Sequence, residues 1–161
     1  VSAAAAGARS VTFIDASAQA LSFAEENAKA NAPACEAQTL CGDAFDLLRQ
    51  LRDDGRRFQV ISLDPPAFIK RRKDAALGLA ADKQANDLAV QLLAPGGILA
   101  TSSCSHHLEV QALRGCLTHA ATKRKLHARI LFAGGQGPDH PIHAAMPETA
   151  YLKCFIAQVG A

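Results

Sequence analysis

Short apolar runs alternate with longer amphipathic segments along most of this chain. The runs at residues 11–14, 37–40 and 58–63 have the length of buried strands, and each is followed closely by an acid. The intervening segments, near residues 17–31 and 44–51, repeat apolar residues at helical spacing. Alternation of this kind is typical of βαβ units, so the pattern predicts an α/β fold with a largely parallel sheet.

The second half continues the pattern and then departs from it. A helix is predicted over residues 74–93, ended by Pro95-Gly96-Gly97, followed by a strand at 97–101 and a helix at 107–123. The last two apolar runs, 128–133 and 151–159, are joined by a connection rich in glycine, proline and histidine. That connection leaves no room for a long helix, so these strands are expected to pair antiparallel.

Composition narrows the class of protein. The 161 residues are 49% hydrophobic and 20% charged, which suits one globular domain, and no apolar stretch approaches a membrane span. The five cysteines have neither paired spacing nor zinc-site spacing, so we expect no disulfide framework, no metal site and a reducing cytoplasm. The net charge of +2 does not by itself argue for nucleic-acid binding.

The segment Asp64-Pro65-Pro66-Ala67-Phe68 follows the strand at 58–63 and offers an acid, a stiffened turn and a ring. Open α/β sheets bind ligands at the carboxyl ends of their strands. A carboxylate, free carbonyls and an aromatic ring can bind the amino edge and face of a planar base. The alternative is a rigid turn with an exposed acid, and we favour the functional reading because the prolines impose a defined shape.

Asp15 and Asp43 also follow strands. An acid in this place often accepts hydrogen bonds from a ribose, and Asp43 is similarly placed to contact a base edge. A helix-capping role explains Asp15 equally well.

Cys104 lies past the strand at 97–101, among serines and before a predicted helix, where the helix dipole would favour a thiolate. The other four cysteines are expected to be small buried residues. His106 and His107 could act as a base, an RNA contact or a cap. An acid and a thiol would then share one rim of the sheet, which indicates an enzyme.

A basic run, Lys70-Arg71-Arg72-Lys73, directly follows the Asp-Pro-Pro loop. Alone it reads as solvated surface charge. Its place beside the predicted site makes Lys70, Arg71 and Arg72 candidates for substrate binding.

Six strings, in their order and spacing, resemble one known family, the RlmI-type large-subunit rRNA cytosine-5 methyltransferases with the class I S-adenosylmethionine-dependent fold. They are Phe13-Ile14-Asp15-Ala16-Ser17, Gly42-Asp43-Ala44-Phe45, the Asp64–Phe68 segment, Leu93-Ala94-Pro95-Gly96-Gly97, Ser103-Cys104-Ser105-His106-His107, and Asp139-His140-Pro141 with Pro147-Glu148 and Tyr151-Leu152-Lys153.

The resemblance implies a Rossmann-like mixed sheet with helices on both faces and a C-terminal antiparallel hairpin. It implies that Asp15 and Ala16 bind the ribose side of S-adenosylmethionine and that Asp43 and Ala44 read its adenine. It places Asp64 in the target-base pocket and on the cofactor side, with Pro65, Pro66 and Phe68 on the substrate side. Cys104 matches the family's nucleophile, which would attack carbon 6 of cytosine.

The resemblance also implies a first strand and a glycine-rich loop ahead of Val1. Residues 1–161 are therefore expected to be a partial methyltransferase domain that is inactive alone. An rRNA substrate is expected and no membrane, and a homodimer is left open. Two other functions stay open: amino-group methylation of a nucleobase, which needs no thiol, and a non-catalytic RNA-binding or oligomerising fragment.

Overall fold

A computed structural model describes residues 1–69 and 71–161, except for the side chain of Arg72. Lys70, one of the predicted substrate contacts, lies outside the described residues. The backbone groups into two compact units, Val1–Asp54 and Gly55–Ala161. Each unit is described by itself.

The first unit contains a two-stranded parallel sheet with helices. Its elements are α1 (Ser2–Ala5), β1 (Ser10–Asp15), α2 (Ala18–Asn31), β2 (Glu36–Cys41) and α3 (Ala44–Asp53). The strands pair in parallel from Ser10 opposite Glu36 to Asp15 opposite Cys41. Ser17 caps α2 as predicted, since its hydroxyl accepts a hydrogen bond from the Ala20 amide at 3.2 Å.

The second unit contains a four-stranded mixed sheet. Its elements are β3 (Phe58–Leu63), α4 (Ala75–Leu92), β4 (Leu93–Ser103), α5 (Val110–Thr122), β5 (His127–Gly134) and β6 (Lys153–Gly160), with short 3₁₀ turns at Arg72–Asp74 and Pro147–Thr149. The strand order is β3-β4-β6-β5. β3 and β4 run parallel, and β6 runs antiparallel to both of its neighbours. The predicted antiparallel ending is confirmed.

The core of the second unit lies between this sheet and helices α4 and α5. Phe155, Ala157 and Val159 alternate along β6 with their side chains buried, as expected for the inner face of a strand. Leu113 and Leu117 of α5 pack into the same cluster. Lys153 shares this inward register, and only 7% of its surface is exposed.

Two predicted boundaries were wrong. β4 begins at Leu93, directly after α4, because Leu93 is already extended and pairs with Phe58 of β3. The pairing register shifts between Phe58 and Val60, and Gly96 has a φ of 73°, so the strand accommodates Pro95 through a local irregularity. Helix α5 begins at Val110 rather than at residue 107.

No helix within the described parts of the chain is long and apolar enough to cross a membrane.

Candidate active site at the ends of β3 and β4

The Asp64 carboxylate is held by the neighbouring strand. Asp64 directly follows β3, and its Oδ1 accepts a hydrogen bond of 2.7 Å from the Ser102 hydroxyl near the end of β4. The Ser102 hydroxyl also lies 3.3 Å from the Leu63 carbonyl oxygen. Because β3 and β4 are parallel neighbours, the acid lies at the carboxyl edge of the sheet, as predicted.

Cys104 follows β4 at the same edge, in a segment that is fixed on both sides. The buried Ser103 hydroxyl accepts a hydrogen bond from the Ser105 amide at 3.2 Å. The buried Ser105 hydroxyl accepts one from the Ile69 amide at 3.4 Å. This second bond ties the Cys104 segment to the end of the Asp-Pro-Pro loop, while Cys104 itself stays half-buried.

The Lys153 side chain stabilises the segment that carries Cys104. Its ammonium donates hydrogen bonds of 2.6 Å to the carbonyl oxygens of Ser105 and Tyr151. Burial lowers the pKa of Lys153, and the negative charges that Cys104, Glu109 and Asp82 can carry oppose that lowering. Lys153 thus places a positive charge beside the segment that carries Cys104.

The N-terminus of α5 lies further along the chain from Cys104 than predicted. Helix α5 begins at Val110, with Glu109 as its N-cap. Both Cys104 and Glu109 lie close enough to Lys153 to act on the pKa of its ammonium. The influence of the helix end on Cys104 therefore stays a prediction.

The other cysteines are less uniform than predicted. Only Cys116 is buried, where burial raises the pKa of its thiol to about 11. Cys41 is exposed, and Cys35 and Cys154 are half-buried. Cys154 pairs with Ser102 across β4 and β6, and burial followed by the Asp64 charge raises the pKa of its thiol. Cys154 therefore lies near the acid but is held in its neutral form.

The two predicted cofactor acids lie in the first unit. Asp15 is the last residue of β1, and its Oδ1 accepts a hydrogen bond of 2.7 Å from the Ser17 amide. Asp43 caps α3, since its Oδ1 accepts from the Phe45 and Asp46 amides at 2.9 and 3.1 Å. Both acids thus have a local structural role, and both remain exposed to solvent. Ala16 and Ala44 follow them directly and are exposed as well.

The remaining predicted substrate residues are only partly brought together. Pro65 is half-buried and Pro66 is exposed within the loop. Phe68 and Arg71 line an open cleft of about 540 Å³ against α4, and the Arg71 guanidinium forms an ion pair of 2.9 Å with Asp74. Ala67 and Ile69 instead line a different cleft, together with His106 and Tyr151. The loop therefore faces two clefts.

Gly78 of α4 lets the Asp-Pro-Pro loop rest against the helix. A Cβ at this position would lie 2.9 Å from the Phe68 carbonyl carbon and 3.0 Å from the Ile69 amide nitrogen. Gly78→Ala is therefore expected to destabilise the protein by about 1–3 kcal/mol, although alanine is the better helix former. Urea unfolding followed by circular dichroism measures the change.

Gly115 of α5 is the matched control for Gly78. It is also a helical glycine, but no atom in the described part of the chain lies within 4 Å of the position a Cβ would take. Gly115→Ala is expected to stabilise the protein by about 0.5–1 kcal/mol. If Gly78→Ala and Gly115→Ala change the free energy of unfolding in the same direction, close packing against the Asp-Pro-Pro loop does not decide which residue α4 accepts at position 78.

Asp82 of α4 is a buried acid whose negative charge destabilises the folded protein. Burial raises its pKa from 3.8 to about 6, against the opposing charge of Lys153, and its Oδ2 has no hydrogen-bond partner among the described residues. The folded state thus binds a proton more tightly than the unfolded state. The stability linked to that proton is fully present below pH 4 and is lost as the pH rises through about 6.

Asp82→Asn should therefore stabilise the protein by about 2 kcal/mol at pH 8 and have little effect at pH 4. Denaturant unfolding at both pH values measures this. Asp54→Asn, at an exposed position after α3, is the control and should change the free energy of unfolding little at either pH. Equal stability of Asp82→Asn and wild type at pH 8 would contradict a costly buried charge.

Comparison of the sequence with known proteins gives a matching family and matching curated relatives. The model of a family described as conserved hypothetical protein 95 matches residues 1–127. The ribosomal RNA large subunit methyltransferase I of Klebsiella pneumoniae is 37% identical over 160 residues, which is 99% of this chain and 40% of that protein. The chain spans about 40% of the length of the curated relatives it matches.

Solved structures share the architecture. SMU.776, complexed with SAH, superposes with a TM-score of 0.76 at 20% identity, covering 94% of this chain and 40% of that one. The SAM-dependent methyltransferase from Agrobacterium tumefaciens gives a TM-score of 0.58 at 20% identity, covering 98% of this chain and 50% of that one. The chain therefore has the class I methyltransferase fold, as predicted.

Proposed function

The chain belongs to the conserved hypothetical protein 95 family, and from that premise we propose that it is the catalytic part of an S-adenosylmethionine-dependent methyltransferase. We propose that it methylates carbon 5 of a cytosine in large-subunit rRNA, in the cytoplasm, through a cysteine adduct. The similarity to ribosomal RNA large subunit methyltransferase I supports the rRNA substrate. The choice of carbon 5 depends on the site itself.

One observation carries the choice of chemistry. Two hydrogen bonds, from Ser102 to Asp64 and from Ile69 to Ser105, hold an acid and a thiol segment together at the carboxyl edge of one sheet. Methylation of an amino group requires an acid or amide that accepts a hydrogen bond from that group. It requires no nucleophilic side chain on the enzyme. A half-buried cysteine at this edge, next to the Ser105 carbonyl that binds the Lys153 ammonium, therefore favours a reaction that uses the thiol.

The Cys104 thiol would activate carbon 5 of cytosine for methylation. Carbon 5 of cytosine is a poor nucleophile until the Cys104 thiolate adds to carbon 6, which makes carbon 5 an enamine carbon. S-adenosylmethionine supplies the methyl group as an electrophilic carbon bound to a sulfonium. Loss of the carbon-5 proton to a base then expels the Cys104 thiolate and restores the ring. Asp64 would accept a hydrogen bond from the amino group of cytosine and share a proton with ring nitrogen 3, where negative charge develops during the addition.

The first unit offers groups that fit the cofactor. The exposed Asp15 carboxylate, at the end of β1, can accept hydrogen bonds from a ribose. The Ala44 amide is in the first turn of α3, where amides have no partner within the helix, and can donate to a base edge. We propose that Asp15 and Ala16 hold the ribose and that Asp43 and Ala44 hold the adenine.

The direct test is product analysis. The full gene product and the 161-residue chain are each incubated with S-adenosylmethionine and unmodified large-subunit rRNA, and the digested nucleosides are separated by mass spectrometry. The proposal expects 5-methylcytidine from the full gene product. N4-methylcytidine would instead establish amino-group methylation, and no methylated nucleoside would overturn both.

Calorimetry with S-adenosylhomocysteine then tests the chain as a partial domain. Binding by the full gene product but not by the chain would support an incomplete cofactor site in residues 1–161. Binding by neither would favour a non-catalytic RNA-binding or oligomerising role. Sedimentation velocity on the same samples decides whether a homodimer forms.

A further inference from the structure

An open cleft beside the candidate active site has no role in the proposed chemistry. It has a volume of about 640 Å³, and its lining includes Ala67, Ile69, His106, Glu109, Glu148 and Tyr151. Two of its lining residues directly continue the segments of the candidate site. Ala67 follows Pro66, and His106 follows Ser105. Neither Asp64 nor Cys104 lines it. Any ligand in this cleft is therefore a neighbour of the reacting base.

An aromatic pair forms one wall of the cleft. The rings of His106 and Tyr151 are stacked, with centroids 4.6 Å apart and planes inclined by 25°. The Tyr151 carbonyl also accepts a hydrogen bond of 2.6 Å from Lys153, so the aromatic pair is anchored to the core of the unit. Stacked aromatic side chains of this kind bind the faces of unpaired bases.

The charged residues that line the cleft favour one part of a nucleotide over another. Among the residues that the structure describes, which exclude Lys70 and the Arg72 side chain, the lining contains two carboxylates, Glu109 and Glu148, and no lysine or arginine. Carboxylates repel a phosphate but accept hydrogen bonds from the exocyclic amino group of a base. The cleft thus suits the base of a nucleotide and not its phosphate.

We propose that this cleft binds the base of a nucleotide adjacent to the target, stacked on the His106–Tyr151 pair with its amino edge toward the carboxylates. The inference rests on the proposed function in taking RNA as the substrate. It adds a second base-recognition site, selective for bases that carry an amino group. Cytosine and adenine should bind better than uracil.

The chain contains a direct reporter of this site. Tyr151 is its only tyrosine, and it has no tryptophan, so its intrinsic fluorescence comes from this wall of the cleft. An oligocytidylate eight-mer is titrated into the 161-residue chain, with N-acetyltyrosinamide titrated in parallel to correct for absorbed light. We expect saturable quenching, at lower concentrations than with oligouridylate, and none with an abasic eight-mer of equal charge.

Variants then assign the effect to stacking. With a fluorescein-labelled oligocytidylate, anisotropy should show that His106→Ala weakens binding by roughly five- to a hundredfold. His119→Ala, which removes an exposed histidine in the last turn of α5, should bind as wild type does. Circular dichroism verifies that both variants are folded.

Four results would overturn the proposal: quenching by the abasic oligomer equal to that by oligocytidylate, binding without quenching, no binding at all, or wild-type affinity in His106→Ala. These readouts require neither methyl donor nor Cys104. Failure of the cleft is therefore distinguishable from failure of the methyl-transfer proposal, which product analysis decides.

Discussion

Replacing Cys104 with serine is expected to slow methyl transfer to cytosine by roughly a thousandfold or more. A serine hydroxyl is almost entirely protonated at neutral pH and adds poorly to carbon 6, so carbon 5 is not activated. The rate is measured by transfer of radiolabelled methyl groups to rRNA by the full gene product. No RNA should be trapped on the variant protein, because no adduct forms.

Two other cysteines provide the comparison for Cys104. Cys35→Ser, at a half-buried position in the first unit, should keep the wild-type rate. Cys154→Ser should keep most of it, because burial and the Asp64 charge raise the pKa of that thiol and hold it neutral. Near-normal turnover by Cys104→Ser, or a larger loss from Cys154→Ser, would reject the assignment of the nucleophile.

The pattern of apolar runs predicts the elements of this fold well because burial sets the pattern. The alternation along β6 even places Lys153 on the inner face, in register with Phe155 and Ala157. That register is the one sequence signal for the buried lysine, and a lysine in an otherwise apolar inward series suggests a polar partner. Its partners, the carbonyl oxygens of Ser105 and Tyr151, become visible only in three dimensions.

The errors have local causes. The sequence predicts that strand β4 begins at Gly97, because proline and glycine usually end regular structure. In the structure Gly96 takes a positive φ, and the strand continues through an irregular register. The predicted start of α5 at residue 107 was also wrong, since no capping residue marks the end of the loop after Cys104 and the structure shows no side-chain cap at Glu109.

The sequence predicts that Asp64 and the Cys104 segment lie at the same edge of the sheet, but it does not predict the contacts that connect them. Strand ends indicated Asp64 and Cys104, because ligands bind at the carboxyl edge of an α/β sheet. The hydroxyl bonds of Ser102 and Ser105 join residues far apart in sequence, and no periodic pattern reports them. The stack of His106 on Tyr151 is likewise a tertiary contact, although both residues belong to strings that carry the family resemblance.

Replacing Asp64 with asparagine is expected to lower the rate of methyl transfer by roughly a hundred- to a thousandfold while leaving the fold intact. Asparagine keeps the shape and can still accept the 2.7 Å hydrogen bond from Ser102, so the loop should stay in place. It loses the carboxyl group that, in the proposed reaction, stabilises charge on the base during addition. Single-turnover rates and thermal unfolding of the same variant separate these effects.

Ser102→Ala completes the comparison, because it removes the group that positions Asp64 while keeping the carboxylate itself. We expect a loss of about tenfold, smaller than that of Asp64→Asn, since the carboxylate can still reach the base from a less fixed position. Asp54→Asn, at an exposed acid outside the site, should keep the wild-type rate. A larger loss from Ser102→Ala than from Asp64→Asn would mean that the serine hydroxyl acts on the base directly. The acid at this edge of the sheet would then have only a structural role, and the target-base pocket would have to be assigned to β4 alone.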